Sequence, residues 1–278
     1  KPGVWNKLDL QGRKILVAED YEINREVVLT MLKELGCDAD WVANGFDALK
    51  KIVETAYDLV LMDLHMPVMD GFAAVQEIRR RVIPGVGGEP LKIVAVTADA
   101  MKGDREKCLA SGMDGYLAKP YSAVELENVI CGVLGCRVEN RVEVDNLKDD
   151  GKRAKKSSSR SRSLVPVSLN RRILTLFEAE MGGDISTMVE KFCAELPRQQ
   201  GLISQALQKK NFGVVASEAH KIKSAAGMLG AEKLSQLARK LEKGSRQQKR
   251  EVTIETFPLL VAEIEVVTSI LRGENGRT

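Results

Sequence analysis

The chain has 278 residues, 44% of them hydrophobic and 29% charged. That size accommodates about two domains, each able to bury a core. A net charge of +3 is too small to imply a nucleic-acid partner by itself, and 4% aromatics argue against stacking platforms for single-stranded nucleic acid. No apolar run approaches the roughly 20 residues of a membrane helix, and no leader peptide is evident. The five cysteines, Cys37, Cys108, Cys131, Cys136 and Cys193, form no CxxC pair. They read as reduced, mostly buried thiols of a cytosolic protein. Because the sequence begins at Lys1 rather than Met, it reads as part of a longer protein, whose remainder could carry a membrane anchor.

In chain order, the first half alternates short apolar runs with helical patterns. Lys14–Ala18, Leu59–Met62 and Ile93–Val96 suit strands buried on both faces of a parallel sheet. Between them lie helical stretches at Glu22–Leu35, stopped by Gly36, at Phe46–Val53 and at Phe72–Arg81. A helix near Asp104–Ser111, a strand at Tyr116–Ala118 and a helix near Ser122–Leu134 follow. This alternation predicts a doubly wound α/β domain. Residues 137–163 include KDDGKRAKKSSSRSRS, too polar to offset the entropy of ordering, and read as a flexible basic linker. Residues 164–278 read as all-helical, which predicts a bundle. Asp184 is the expected N-cap after Gly182–Gly183, Pro197 is expected to kink or divide its helix, and Gly213, Gly230 and Gly244 to punctuate the rest.

The apolar runs end on chemistry-bearing residues. KILVA leads into Glu19 and Asp20, DLVLM into Asp63, KIVAV into Thr97, and GYLA into Lys119 and Pro120. A parallel sheet brings these ends to one edge, where open α/β sheets bind ligands. Three clustered carboxylates repel one another unless a cation compensates, and magnesium, which takes oxygen ligands, suits the set. An ammonium and a hydroxyl alongside would complete a site for a phosphoryl group, with Asp63 as the candidate nucleophile. The bland alternative is a set of solvated strand-end charges, but four complementary ends weigh against it.

The segments VAEDYEINR, MDLHMPVMDG, TADA and YLAKP resemble the receiver domain of two-component response regulators over about Leu10–Cys136. The resemblance implies a flavodoxin-like fold with a five-stranded sheet. It implies Asp63 as phospho-acceptor, and Glu19, Asp20, Asp63 and the His65 carbonyl as the magnesium site. It further implies Thr97 and Lys119 as phosphate contacts, a cis peptide before Pro120, and coupling of phosphorylation to a surface change through Thr97 and Tyr116. The His65 side chain reads as a rim residue.

In the second half, helical spacing puts Val215, Ala219, Ile222, Ala226 and Leu229 on one core-facing stripe. His220 points away from that stripe. It is therefore expected to stand exposed among the small residues Ala216, Ser217, Ser224 and Gly227, with Lys223 beside it to neutralise charge on a transferring group. An exposed imidazole can act as a nucleophile toward phosphorus; without further cues it is an ordinary surface histidine. The segment AHKIKSAAGMLGA resembles the signature helix of histidine phosphotransfer domains, four-helix-bundle carriers, over roughly Val167–Leu271. That resemblance implies His220 as the phosphorylated residue. Ser224 departs from it, because the family usually has glycine there.

Together the halves resemble the C-terminal part of a hybrid sensor histidine kinase. The implied partners are an upstream histidine kinase domain and a downstream response regulator receiver, with neither nucleic acid nor membrane directly engaged and a cytoplasmic location. ATP-binding glycine motifs are not recognisable, so no independent kinase activity is expected. A coil of about 25 residues spans roughly 25–30 Å, enough to permit docking within the chain without requiring it. Two alternatives remain at this point: a docking module that transfers nothing, and a flavodoxin-like enzyme acting on a phosphorylated metabolite.

Overall fold

The computed structural model describes residues 10–97, 104–136 and 168–273. The expected linker, and the TADA segment beyond Thr97, lie outside the described residues.

The first unit is a five-stranded parallel sheet of β1 (Lys14–Ala18), β2 (Asp38–Val42), β3 (Leu59–Asp63), β4 (Lys92–Thr97) and β5 (Gly115–Ala118), in the order β2-β1-β3-β4-β5. Its helices are α1 (Glu22–Glu34), α2 (Gly45–Glu54), α3 (Gly71–Arg81), α4 (Asp104–Ala110) and α5 (Ala123–Leu134). The central strand β3 is buried at every position, which is why it reads as an unbroken apolar run. One apolar cluster packs α1 and α5 against one face of the sheet, and a second packs α2, α3 and Cys108 of α4 against the other. The strand β2, DADWV, was not legible as an apolar run. It sits at the sheet edge with Trp41 49% exposed, so no alternation marks it.

The second unit is helical among the described residues: α6 (Arg171–Glu180), α7 (Ser186–Gln208), α8 (Phe212–Met228), α9 (Glu232–Arg246) and α10 (Arg250–Leu271). The long helices α7 to α10 form the bundle around Phe192, Leu196, Ile203, Val215, Ile222, Leu241 and Leu260. Three expectations are corrected here. Pro197 does not divide its helix, because α7 runs through it while Leu196, Gln199 and Ile203 hold the flanking turns in the core. Gly213 and Gly244 lie inside α8 and α9 rather than between helices; Gly244 is where α9 meets α10, and a Cβ there would sit 3.1 Å from Thr253 Oγ1. Gly230, at φ +75°, does separate α8 from α9. Asp184 caps as expected in chemistry, its Oδ1 accepting from the Ser186 N–H at 2.9 Å, although the N-cap position itself is Ile185. Among the described residues, no helix is long and apolar enough to cross a membrane.

The two units are docked. Helix α1 lies against α7 and α8, and their apolar clusters are continuous.

Candidate functional site

Sheet register assembles the site. Ala18 pairs with Met62, so Glu19 emerges beside Asp63. Asp63 pairs with Val96, so Thr97 emerges next, and Thr97 pairs with Ala118, which delivers Lys119. Four strand ends thus converge with no long-range loop required. Glu19, Asp63, Thr97 and Lys119 are all buried, Asp63 being 1% exposed. The Lys119 Nζ donates to Glu19 Oε2 and to Asp63 Oδ2, each at 2.5 Å. The His65 N–H donates to Asp63 Oδ1 at 2.9 Å, and the Lys119–Pro120 peptide is cis. Gly71 is obligatory for a steric reason: a Cβ there would collide with the Asp63 carbonyl oxygen and lie 3.0 Å from Leu64 Cα.

Electrostatics shows an excess of negative charge. Burial pushes the Glu19 carboxyl up to about 8, with Lys119 pulling down and Asp63 pushing up. Burial and Asp63 likewise raise Asp20. Burial would raise Asp63 too, but Lys119, then His220 and the His65 N–H, hold its carboxyl below the usual range. One oxygen from each of Glu19, Asp20 and Asp63 lies within 4.8 Å of the others. Three carboxylates facing one ammonium, all offering oxygen, fit a hard divalent cation.

His220 departs from expectation. It lies off the core stripe of α8, as the spacing predicts, yet it is only 5% exposed, because the first unit covers it. Its ring meets the His65 ring edge-on, with centroids 5.0 Å apart. The His65 side chain is thus more than a rim group: it forms part of the cover. His220 Nδ1 lies 2.9 Å from Glu242 Oε1. A carboxylate only accepts, so Nδ1 carries a proton, and in the neutral ring the lone pair is then on Nε2. His220 Nε2 is buried and has no hydrogen-bond partner among the described residues. Lys223 is not presented openly beside His220; it is 2% exposed and donates to Glu242 Oε2 at 2.6 Å. Arg246 also reaches Glu242 Oε1, at 2.9 Å. Burial opposes ionisation of Glu242, but His220 and Lys223 hold its carboxyl well below the ordinary range.

Sequence reading missed Glu242. A signal existed: it follows Leu234, Ala238 and Leu241 along the buried stripe of α9, where a charge demands a partner. Asn24 was missed as well. Its amide donates to Glu19 Oε1 at 2.9 Å and, across the junction, to Ser224 Oγ at 3.1 Å. Other cross-junction contacts are Lys191 with Glu26 and Glu22, Lys221 with Asp20 at 3.9 Å, and Glu180 accepting from the Ala123 N–H at 3.2 Å. Gly227, inside α8, faces the Pro120 ring, which a Cβ would meet at 3.6 Å. A cavity of about 490 Å³ borders the junction, lined by Asp20, His65, Phe212, His220, Lys221 and Arg246 among others.

Fold and site define a pair of signalling domains. The chain carries a response regulator receiver domain, matched over residues 15–131, followed by an Hpt domain, matched over residues 187–269, and such a pair serves phosphorelay signalling. Its relatives are hybrid histidine kinases. It is 38% identical over 124 residues to "Hybrid signal transduction histidine kinase L" of Dictyostelium discoideum, a match covering 42% of this chain and 7% of the relative. It is 37% identical over 134 residues to "Sensor histidine kinase GacS" of Pseudomonas protegens, covering 48% of this chain and 14% of the relative. The chain therefore spans a small part of the relatives it matches. Among solved structures, it is 40% identical to the receiver domain of a sensor histidine kinase from Pseudomonas aeruginosa PAO1, described with a magnesium ion coordinated in the active site cleft. That match covers 45% of this chain and 98% of the other, at a TM-score of 0.40.

Proposed function

We propose that Asp63 accepts a phosphoryl group from a histidine kinase and that His220 takes it from Asp63 and carries it to a downstream receiver. The observation that supports this most is the placement of the two groups: His220, its Nε2 buried with no hydrogen-bond partner among the described residues, packs its ring against His65, two residues after Asp63. In the first step an Asp63 oxygen forms a bond to phosphorus as the donor imidazole's N–P bond breaks. In the second, His220 Nε2 forms an N–P bond as the Asp63 O–P bond breaks and the carboxylate departs. The resulting imidazole bears phosphorus on Nε2 and a proton on Nδ1, and Glu242 stabilises its positive charge. Lys119 positions Asp63 and neutralises charge at the acceptor. Thr97, at the neighbouring strand end, supplies a hydroxyl for the phosphate, and Lys223 fixes Glu242. Glu19, Asp20, Asp63 and the His65 carbonyl would hold magnesium, which supplies charge neutralisation at the phosphoryl oxygens. The proposed setting is the cytosolic part of a sensor kinase, with a kinase domain upstream and a separate receiver downstream.

The test is transfer of label from a phosphorylated histidine kinase core. In His220→Gln, Asp63 still labels, as an acyl phosphate that hydroxylamine cleaves, and nothing passes to a downstream receiver. Chelating divalent ions abolishes the labelling of Asp63. Normal downstream transfer by His220→Gln would refute the assignment and favour a docking module.

A further inference from the structure

We propose that the Hpt surface around His220 is matched to this chain's own receiver, so that the docked receiver both selects itself for transfer and withholds His220 from other receivers until it leaves. The cover rests on the structure; its meaning for transfer rests on the relay reading above.

Three observations carry it. First, concealment comes from the other domain. His220 lies off the bundle's core stripe, yet it is only 5% exposed, with His65 packed on its ring. A second receiver would need the same surface, since it must bring its own acceptor to Nε2. Second, a side chain on the His220 helix makes a specific polar contact across the junction. Ser224 carries the hydroxyl that a glycine would lack, and that hydroxyl accepts the cross-junction hydrogen bond from Asn24. Asn24 also holds Glu19, so the bond ties the Hpt surface to the acceptor site. Around it, Lys191 meets Glu22 and Glu26 of α1, and Lys221 meets Asp20 just before that helix, giving a charge match across the junction.

Third, the junction is built to separate. Tyr21 lies against Gln199, with Glu218 close by. Asn24 Oδ1 and Glu218 Oε2 are buried there with no hydrogen-bond partner among the described residues. Burying such groups unpaired offsets the gain from apolar contact. The contact is therefore specific in pattern but weak, and its tethering within one chain keeps it populated. A carrier that must release one receiver to serve another requires that combination.

The test uses the full chain and the rate at which diethyl pyrocarbonate carbethoxylates His220, mapped by mass spectrometry. Glu22→Lys/Glu26→Lys turns attraction to Lys191 into repulsion without touching the Hpt surface, and is expected to speed modification roughly tenfold. Ser224→Ala removes one hydrogen bond, for a rise of roughly two- to tenfold. Unchanged rates in both variants, with circular dichroism intact, would overturn the cover. A second arm loads His220 of an Asp63→Asn chain with phosphoramidate; the phosphoryl moves from nitrogen to Nε2 and ammonia leaves. A second copy carrying His220→Gln serves as acceptor. Adding the two lysines to the donor is expected to speed passage between copies, and equal passage would overturn the proposal. If modification rises but label never moves, the cover stands and the relay reading fails.

Discussion

Glu242 is where a single atom change has a calculable effect. Its carboxylate accepts from His220 Nδ1 at 2.9 Å and from Lys223 Nζ at 2.6 Å, with the side chain 4% exposed. Glu242→Gln keeps the shape and replaces one acceptor oxygen with a donor. If the amide oxygen serves His220, its NH2 faces the Lys223 ammonium. If it serves Lys223, the NH2 donates to Nδ1 and drives the imidazole proton onto Nε2, the atom that must attack phosphorus. A charge-assisted hydrogen bond of this kind is worth about 1.5–3 kcal/mol, or roughly 10–150-fold in the population of the reactive tautomer. The expected outcome is a loss of that size in the single-turnover rate from labelled Asp63 to His220, read by quenched gel assay. Labelling of Asp63 itself stays normal. Heteronuclear NMR of the ring nitrogens is expected to show more Nε2–H in the mutant. An unchanged transfer rate with a shifted tautomer would refute the reasoning, because it would separate Nε2 availability from the chemistry.

Two further outcomes concern the acceptor site. Lys119→Met strips the ammonium from between two carboxylates that are 5% and 2% exposed. Breaking a buried pair costs about 3–5 kcal/mol, less what proton uptake by Glu19 returns, so the urea midpoint of the receiver drops and added magnesium restores part of it; a midpoint equal to wild type would contradict the charge bookkeeping. Gly71→Ala drives a Cβ into the backbone of Asp63 and Leu64, so α3 must shift. A stability loss of about 1–3 kcal/mol with impaired Asp63 labelling is expected, and normal values for both would show that the helix start can move freely.

What the sequence disclosed and what it hid follow one physical division. Residues Glu19, Asp63, Thr97 and Lys119 were legible because strand ends of a parallel sheet share an edge, and the apolar runs mark where strands end. The core stripe of α8 was legible for the same kind of reason: Val215, Ala219, Ile222 and Ala226 are all fully buried, at helical spacing. Edge strand β2 lacked the signal because it is largely exposed. Glu242 and Asn24 were hidden because their partners, His220 and Ser224, lie 22 and 200 residues away, and periodicity carries no information about which elements meet. The exposure of His220 was misjudged for that reason too. Helical spacing says correctly that the residue leaves its own core, but not that another domain covers it. Ser224, which read as a departure from the family pattern with no visible partner, acquires one only once the domains are docked.

Order of transfer between the two domains is settled most directly by supplying the full chain with phosphorylated kinase core and magnesium and following acid-labile, base-stable label on His220. Such label appears in the wild-type chain and is absent from Asp63→Asn. Equal labelling of His220 in Asp63→Asn would mean that phosphoryl reaches the imidazole by another route, and the Asp63-to-His220 relay would have to be abandoned.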